Sequence, residues 1–462
     1  MLEKKELEKY LSLCMKSEAD FAEIYEEDQI SEDIAMLNEQ VEKVSRTITR
    51  GAGIRLYKGL SSVYAYSNET DEESLTALIN DLRGAIGEKQ EGRDVVLTRV
   101  NYENRHPVKV QFDDVSQDER VKLLVRVCQG AKSVDERIVK VQSGLLNVRQ
   151  EVQISNSDGR LISDTRVRTR IRANAYAREE SRMQSGFYGP GAGMGLEFYE
   201  TEIPEEIGKA AAETALVNLR AVDCPSGKMP VVIDNGFGGV IFHEACGHAL
   251  EATSVSRNQS VFAGKLGKKI ASSCVSAVDD GTIPNAWGSQ NIYDEGNFQQ
   301  RRQLIKDGVL TSYMIDTLGG RRMGMASTSS SRRESYQYEP TSRMTKTFIT
   351  EGTSTFEELF EGIEKGLYAK KMGGGSVNPQ TGEFNFSVQE GWLIENGKIT
   401  VPVKGAALIG SGEEILMNIE KVCSNLKRAE GMCGSVSGSI PTDVGQPAIL
   451  VSSITVGGTS NG

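Results

Sequence analysis

The sequence predicts an α+β protein: an N-terminal antiparallel sheet with helices on one side, then a C-terminal β-rich domain, curved or barrel-like, that carries one functional helix. Three observations support this. Short stretches of alternating apolar and polar residues, separated by glycine or Asn/Asp turns, dominate up to residue 179. Helix-period segments interrupt them at residues 71–86, 116–133 and 204–222. Beyond residue 228 the chain turns glycine-rich and β-prone around a single apolar helix.

The chain starts with a charged amphipathic helix, Met1-Leu2-Glu3-Lys4-Lys5-Glu6-Leu7-Glu8-Lys9-Tyr10. Residues 21–25, 33–38, 41–49, 53–57 and 61–67 read as short strands of a meander, with Gly51-Ala52-Gly53 and Lys58-Gly59 as turns. After two helices come strands at 137–143, 144–155 and 160–179, the last two joined through Asn156-Ser157-Asp158-Gly159. Cys224-Pro225-Ser226-Gly227 is the expected boundary, giving domains 1–223 and 224–462. A strand at 229–233 leads through Asp234-Asn235-Gly236 into the apolar helix. Further strands are expected at 393–394, 399–403 and 448–456, with a helix near 355–368. Residues 326–343 and Gly373-Gly374-Gly375-Ser376 read as loops outside the core, bordering a cleft.

The apolar helix holds two of the chain's three histidines, in the run His243-Glu244-Ala245-Cys246-Gly247-His248. Two imidazoles bracketing a carboxylate point to a metal site with its own general base. The histidines are five apart, which on a regular α-helix rotates the second roughly 140° from the first. Sharing one metal therefore requires a π-type turn or a bend, expected near Gly247 within a helix spanning about 238–252. A catalytic zinc site usually has a third protein ligand. Candidates are Cys246, Glu251 one turn after His248, and Cys274, Cys423 and Cys433. Cys433 is favoured because Gly431 and Gly434 flank it, which suggests a pliable loop. Cys246 suits a small buried position and Glu251 a carboxylate that orients an imidazole.

These residues resemble the TldD/PmbA family of metallopeptidases, long labelled modulators of DNA gyrase. The likeness rests on the His-Glu-x-x-x-His run continued as His248-Ala249-Leu250-Glu251, on Gly382-Glu383-Phe384-Asn385-Phe386-Ser387 through Glu390-Gly391-Trp392-Leu393-Ile394-Glu395-Asn396-Gly397-Lys398, and on Pro402-Val403-Lys404-Gly405-Ala406. Cys433-Gly434 followed by Val444-Gly445-Gln446-Pro447 adds to it. The resemblance implies zinc held by His243, His248 and Cys433, with Glu244 as general base in peptide hydrolysis. Imidazole and thiolate donors suit zinc by softness and do not suit magnesium or calcium. The resemblance also implies a TldD-type catalytic subunit, acting as a homodimer or as a heterodimer with a PmbA-type subunit. Small or unfolded peptides, bound as extended chains along a sheet edge, are the expected substrates.

Composition excludes other classes. The net charge of -11 argues against direct nucleic-acid binding, which depends on basic surface. No apolar stretch approaches the ~20 residues that span a membrane, and the charged start is unlike a signal peptide, so a cytoplasmic protein is expected. Seven scattered cysteines suit reduced thiols. Arg166, Arg168, Arg170 and Arg172 alternate with Val167, Thr169 and Ile171, which places all four guanidinium groups on one strand face. A solvated face paired with acidic neighbours is expected there. Two other functions compete with the peptidase: a noncatalytic peptide-binding or regulatory subunit with a structural metal, and a thiol hydrolase using Cys433.

Overall fold

The first sheet is built on two long strands, β1 (Phe21–Leu37) and β2 (Gln40–Lys58), where the turn residues suggest four short ones. They are joined at Asn38-Glu39, both at positive φ, as a tight hairpin turn requires. Gly51 and Gly53 lie inside β2 and form no turn. A Cβ on Gly51 would come 2.5 Å from the Tyr336 ring and one on Gly53 would come 2.6 Å from the Tyr336 carbonyl oxygen. These glycines admit another segment against the sheet.

Continuing along the chain of this computed structural model, which describes residues 1–378 and 380–458, come β3 (Ser61–Ser67), β4 (Ile138–Asn156), β5 (Arg160–Glu179) and β6 (Arg182–Tyr188). The main strand order is β3-β2-β1-β4-β5, antiparallel throughout, with β6 antiparallel to β5. The expected strands at 137–143 and 144–155 are one strand. Four helices cover one face: α1 (Lys4–Cys14), α2 (Glu72–Ile86), α3 (Gln117–Lys132) and α4 (Pro204–Leu219). Their starts follow local chemistry. Glu3 and Glu6 form a capping box, Asp71 and Ser116 accept from the backbone N–H three residues on, and Pro204 opens α4. Helices α1 and α2 bury Ala22, Ile24, Ile54 and Leu56, while α3 and α4 bury Ile34, Leu145 and Ile171.

The opposite face of this sheet is buried too, against the C-terminal part, and there the arginine row departs from expectation. Arg166 and Arg168 are buried and only Arg172 is well exposed. Arg166 pairs with Asp164 at 3.2 Å and Asp294 at 2.8 Å, and Arg170 stacks on Trp287 at 5.4 Å. Alternation located the face correctly but could not show that a second layer covers it.

The C-terminal part contains β7 (Gly227–Ile233), β8 (Ala277–Asp280), β9 (Arg301–Lys306), β10 (Lys346–Ile349), β11 (Lys365–Val377) and β12 (Glu383–Glu395). It continues with β13 (Lys398–Lys404), β14 (Ala407–Ser411), β15 (Lys427–Ser435), β16 (Gly438–Gln446) and β17 (Ile449–Gly457). Strands β11-β7-β17-β14-β12 follow one another and the β11–β12 pairing closes them into a barrel. A second sheet runs β9-β8-β10-β16-β15. The apolar helix packs into the core between them through Ile241, Phe242, Ala245, Ala249 and Leu250.

Three expectations need correction here. The helix near 355–368 is one short 3-10 turn, Glu357–Leu359, followed by Gly362 at φ 78° and the start of β11. Its helix-like spacing instead serves a cluster of Phe356, Phe360 and Tyr368 rings with centroids 5.1 to 5.9 Å apart. Gly373 to Ser376 lie outside the core as expected but are no loop: they belong to β11, where the register shifts between Met372 and Gly375. The hydroxyl- and arginine-rich segment 326–343 is outside the core, as expected, up to residue 329; beyond it Ser330, Ser331, Arg332, Arg333, Tyr336, Ser342 and Arg343 are all in the interior. Polar composition suggested surface, but in the interior Arg333 pairs with Glu23 and Tyr336 N–H donates to Glu27 across the two layers, while Arg343 donates to Ser437 Oγ. No helix among the described residues is long and apolar enough to cross a membrane.

Gly239, in the turn leading into the functional helix, shows how tightly that helix sits on β16. A Cβ there would lie 2.3 Å from the Gly445 carbonyl oxygen, a backbone atom that cannot swing aside. Gly239→Ala is expected to lose about 1–3 kcal/mol of stability by overpacking, measured by urea denaturation.

Candidate metal centre

The helix bearing the histidines changes winding twice within eleven residues. Val240–Phe242 is α-helical, His243–Gly247 is a π-turn and Leu250 ends a 3-10 turn that starts at His248. The wide turn lies where the five-residue spacing requires it and brings both imidazoles to one side, with ring centroids 5.2 Å apart. Gly247 has a different reason from the one expected. Its φ and ψ of -56° and -52° are ordinary helical values, open to any residue. A Cβ on it would instead lie 2.1 Å from the Met344 sulfur. The glycine makes room for Met344.

Cys433 is in strand β15, paired with Ile440 of β16, and is not in a loop. A Cβ on neighbouring Gly434 would meet nothing within 4 Å, so that glycine does not aim the thiol. The hairpin itself does, by packing β16 against the base of the helix. Cys433 Sγ lies 3.3 Å from His243 Nε2 and 3.2 Å from His248 Nε2, and the three donor atoms fall within 4.8 Å of one another.

The other candidates separate cleanly. Glu251 Oε2 is 3.2 Å from His248 Nδ1, which leaves Nε2 facing the sulfur, as an orienting carboxylate should. Cys246 is buried beside the Gly412 carbonyl, and burial pushes its thiol pKa up. Cys274 contacts the Ile419 carbonyl and Cys423 that of Thr355, outside the His243, His248 and Cys433 cluster. Glu244 lies beside the donors, 3.6 Å from His248 Nε2, and its side chain is 25% exposed. It is therefore more open to solvent than His248, whose side chain is 12% exposed, and than the buried His243 and Cys433.

The electrostatics favour a cation. Burial opposes a thiolate at Cys433, yet the His243 and His248 rings outweigh it and hold the thiol well below its usual range. Burial likewise opposes a charged His248, but Glu251 and then Cys433 raise its pKa well above normal. A soft cation answers the same demand for positive charge. For tetrahedral zinc with Zn–N near 2.0 Å and Zn–S near 2.3 Å, the N···S edge is about 3.5 Å, close to the two distances found. The donor set and its spacing fit such an ion.

Arg343, which donates to the Cys433 carbonyl, and Met344, which packs on Gly247, went unseen in the sequence because no local signal separates a buried arginine in a serine-rich run from an exposed one.

Known proteins resemble this chain over nearly its whole length. Three family models match in succession: PmbA/TldA metallopeptidase domain 1 at residues 22–86, the central domain at 111–219 and the C-terminal domain at 226–458. A metalloprotease TldD homolog of Haemophilus influenzae is 38% identical, with 96% of this chain and 93% of that protein covered. One from Buchnera aphidicola is 34% identical, covering 97% and 94%. A metalloprotease of Methanothermobacter thermautotrophicus is 31% identical, covering 96% and 97%. Among solved structures, a Thermotoga maritima protein described as a modulator of a DNA gyrase superposes with a TM-score of 0.81 at 21% identity, covering 98% of this chain and all of that one. TldE from Thermococcus kodakarensis gives 0.75 at 17% identity, covering 98% of each chain. The chain belongs to the PmbA/TldD family of metallopeptidases.

Proposed function

We propose that this protein is a zinc-dependent peptidase whose metal is held by His243, His248 and Cys433 and whose general base is Glu244. The observation that carries this reading is the convergence of two imidazole nitrogens and one sulfur, from segments some 190 residues apart, beside a solvent-accessible carboxylate. A relative from Saccharolobus solfataricus named a zinc metalloprotease TldD homolog supports the choice of metal. A zinc ion held there supplies Lewis acidity and a water of lowered pKa.

The protein's own groups do the rest. Glu244 takes the proton from the attacking water and returns it to the departing amine, so no covalent intermediate is needed. Glu251 fixes the His248 tautomer that leaves Nε2 free to bind. Burial of His243 and Cys433 keeps competing ligands from the donors. The substrates in this reading are small or unfolded peptides lying extended along a sheet edge. The working form is a dimer, of this chain alone or with a PmbA-type subunit. A thiolate ligand needs a reducing compartment, which agrees with the cytoplasm.

Protein purified under reducing conditions without chelator is expected to hold about one zinc per chain by elemental analysis, much weakened in Cys433→Ser. Because protons compete for the sulfur and both rings, zinc affinity should fall as pH drops, as read by competition with a chromophoric chelator. Glu244→Ala is expected to keep its zinc and lose peptide turnover by about 10²- to 10⁴-fold. Zinc without turnover in the wild type would instead support a noncatalytic binding subunit.

A further inference from the structure

Cys433 sits near the overhanging end of its hairpin. Strand β16 pairs with β10 only over Asp443, Val444 and Gly445, and Trp287 Nε1 reaches β15 at the Gly431 carbonyl. Residues 433–439 extend past both contacts and turn through Val436, which is 75% exposed. Ends of two-stranded hairpins fray when nothing holds them. A metal ligand there needs an anchor.

The anchors come from segment 330–343. Arg343 is fully buried, and its recorded acceptors among the described residues all belong to the hairpin. Its Nη1 donates to Ser437 Oγ at 2.9 Å and to the Gly438 carbonyl at 3.0 Å, while Nη2 donates to the carbonyl of Cys433 itself. One planar guanidinium thus bridges β15 and the turn into β16. Glu334 adds a second tie, accepting from Ser439 N–H at 2.6 Å while its own N–H donates to the Ser437 carbonyl at 2.9 Å.

The segment is in turn fixed to both neighbours of the site. Arg333 donates to Glu23 of β1 at 2.6 Å and Tyr336 N–H to Glu27 at 2.7 Å. Ser342 Oγ accepts from Thr253 N–H, just beyond the histidine helix, at 2.9 Å. Met344 fills the space left by Gly247 between the two histidines, and Arg332 holds the Met344 carbonyl at 2.8 Å.

We propose that Arg343 is a positioning residue for the metal centre: it clamps the hairpin tip so that the Cys433 sulfur stays at the meeting point of the two imidazoles, on a strut braced by the N-terminal sheet. The proposal rests on the zinc reading for its consequence but on hydrogen bonds alone for its geometry. Lysine cannot replace the clamp, because an ammonium lacks the planar fork that spans two strands.

The test compares wild type with Arg343→Lys, Arg343→Met and Ser437→Ala, the last removing one acceptor while leaving the arginine buried. Each is checked for folding by circular dichroism. Zinc affinity is then measured, with the thiolate-to-metal charge-transfer band of the cobalt-substituted protein and the rate of Cys433 alkylation in chelated protein. Expected results are zinc affinity about 10- to 100-fold weaker in the arginine variants, a diminished thiolate band and faster alkylation, with Ser437→Ala intermediate. Folded variants, Ser437→Ala included, with wild-type affinity, band and alkylation rate would overturn the clamp. If both arginine variants fail to fold, Ser437→Ala decides alone. If the wild type binds no zinc, the metallopeptidase reading fails, and the alkylation rates still decide whether Arg343 holds the thiol.

Discussion

Charge buried between two layers governs this structure. The face of the N-terminal sheet away from its helices carries Glu23, Glu27, Arg55 and Arg166, all buried. Leaving such groups unpaired in the interior would cost several kcal/mol each, so they dictate what may lie against them. The C-terminal part supplies the partners: Arg333 for Glu23 at 2.6 Å, Glu295 for Arg55 at 2.9 Å and Asp294 for Arg166 at 2.8 Å. An apolar interface would tolerate sliding, whereas a set of directional pairs fixes one register. Glu27, without an arginine in contact, shows the strain of the arrangement: burial raises its carboxyl pKa to about 7 despite hydrogen bonds from Gln150 and Tyr336.

That register reaches the metal centre. The segment bearing Arg333 and Tyr336 runs on to Arg343 and Met344, which touch the Cys433 hairpin and the histidine helix respectively. The two halves of the donor set come from elements with little in common: a helix distorted by a π-turn and a strand near a hairpin end. Each is held from a different side, the helix by the barrel core and by Gly239 against β16, the hairpin by the buried arginine. Glu244 stays outside this tight packing and keeps contact with solvent, which its proposed role as a base requires.

Much of the site was legible in the sequence because its signals are local and rare. Two histidines five residues apart around a glutamate demand a particular winding, and the π-turn is at that place. Glu251, one turn on, lies within the reach that i,i+3 neighbours always have. The helices on one face of the first sheet followed from apolar period. Less legible was whatever a distant surface decides. Gly51, Gly53, Gly247 and Gly434 were read through backbone freedom, the only property a glycine shows in sequence, yet the first three are there for what packs against them. The 355–368 stretch had helical spacing, but Gly362 and the pairing of β11 with β7 and β12 outweighed it.

Local sequence alone therefore determined the α+β pattern, the helix that needs a π-turn and the residue types able to hold a soft metal, because these depend on period, capping and donor chemistry within a few residues. Tertiary structure decided that the row from Arg166 to Arg172 is partly an internal seam, that segment 330–343 is interior and that Cys433 meets the histidines from a strand. The reason is desolvation. Whether a charged side chain is surface or scaffold depends on which layer covers it and whether that layer brings a partner, and both lie 90 or more residues away in the chain.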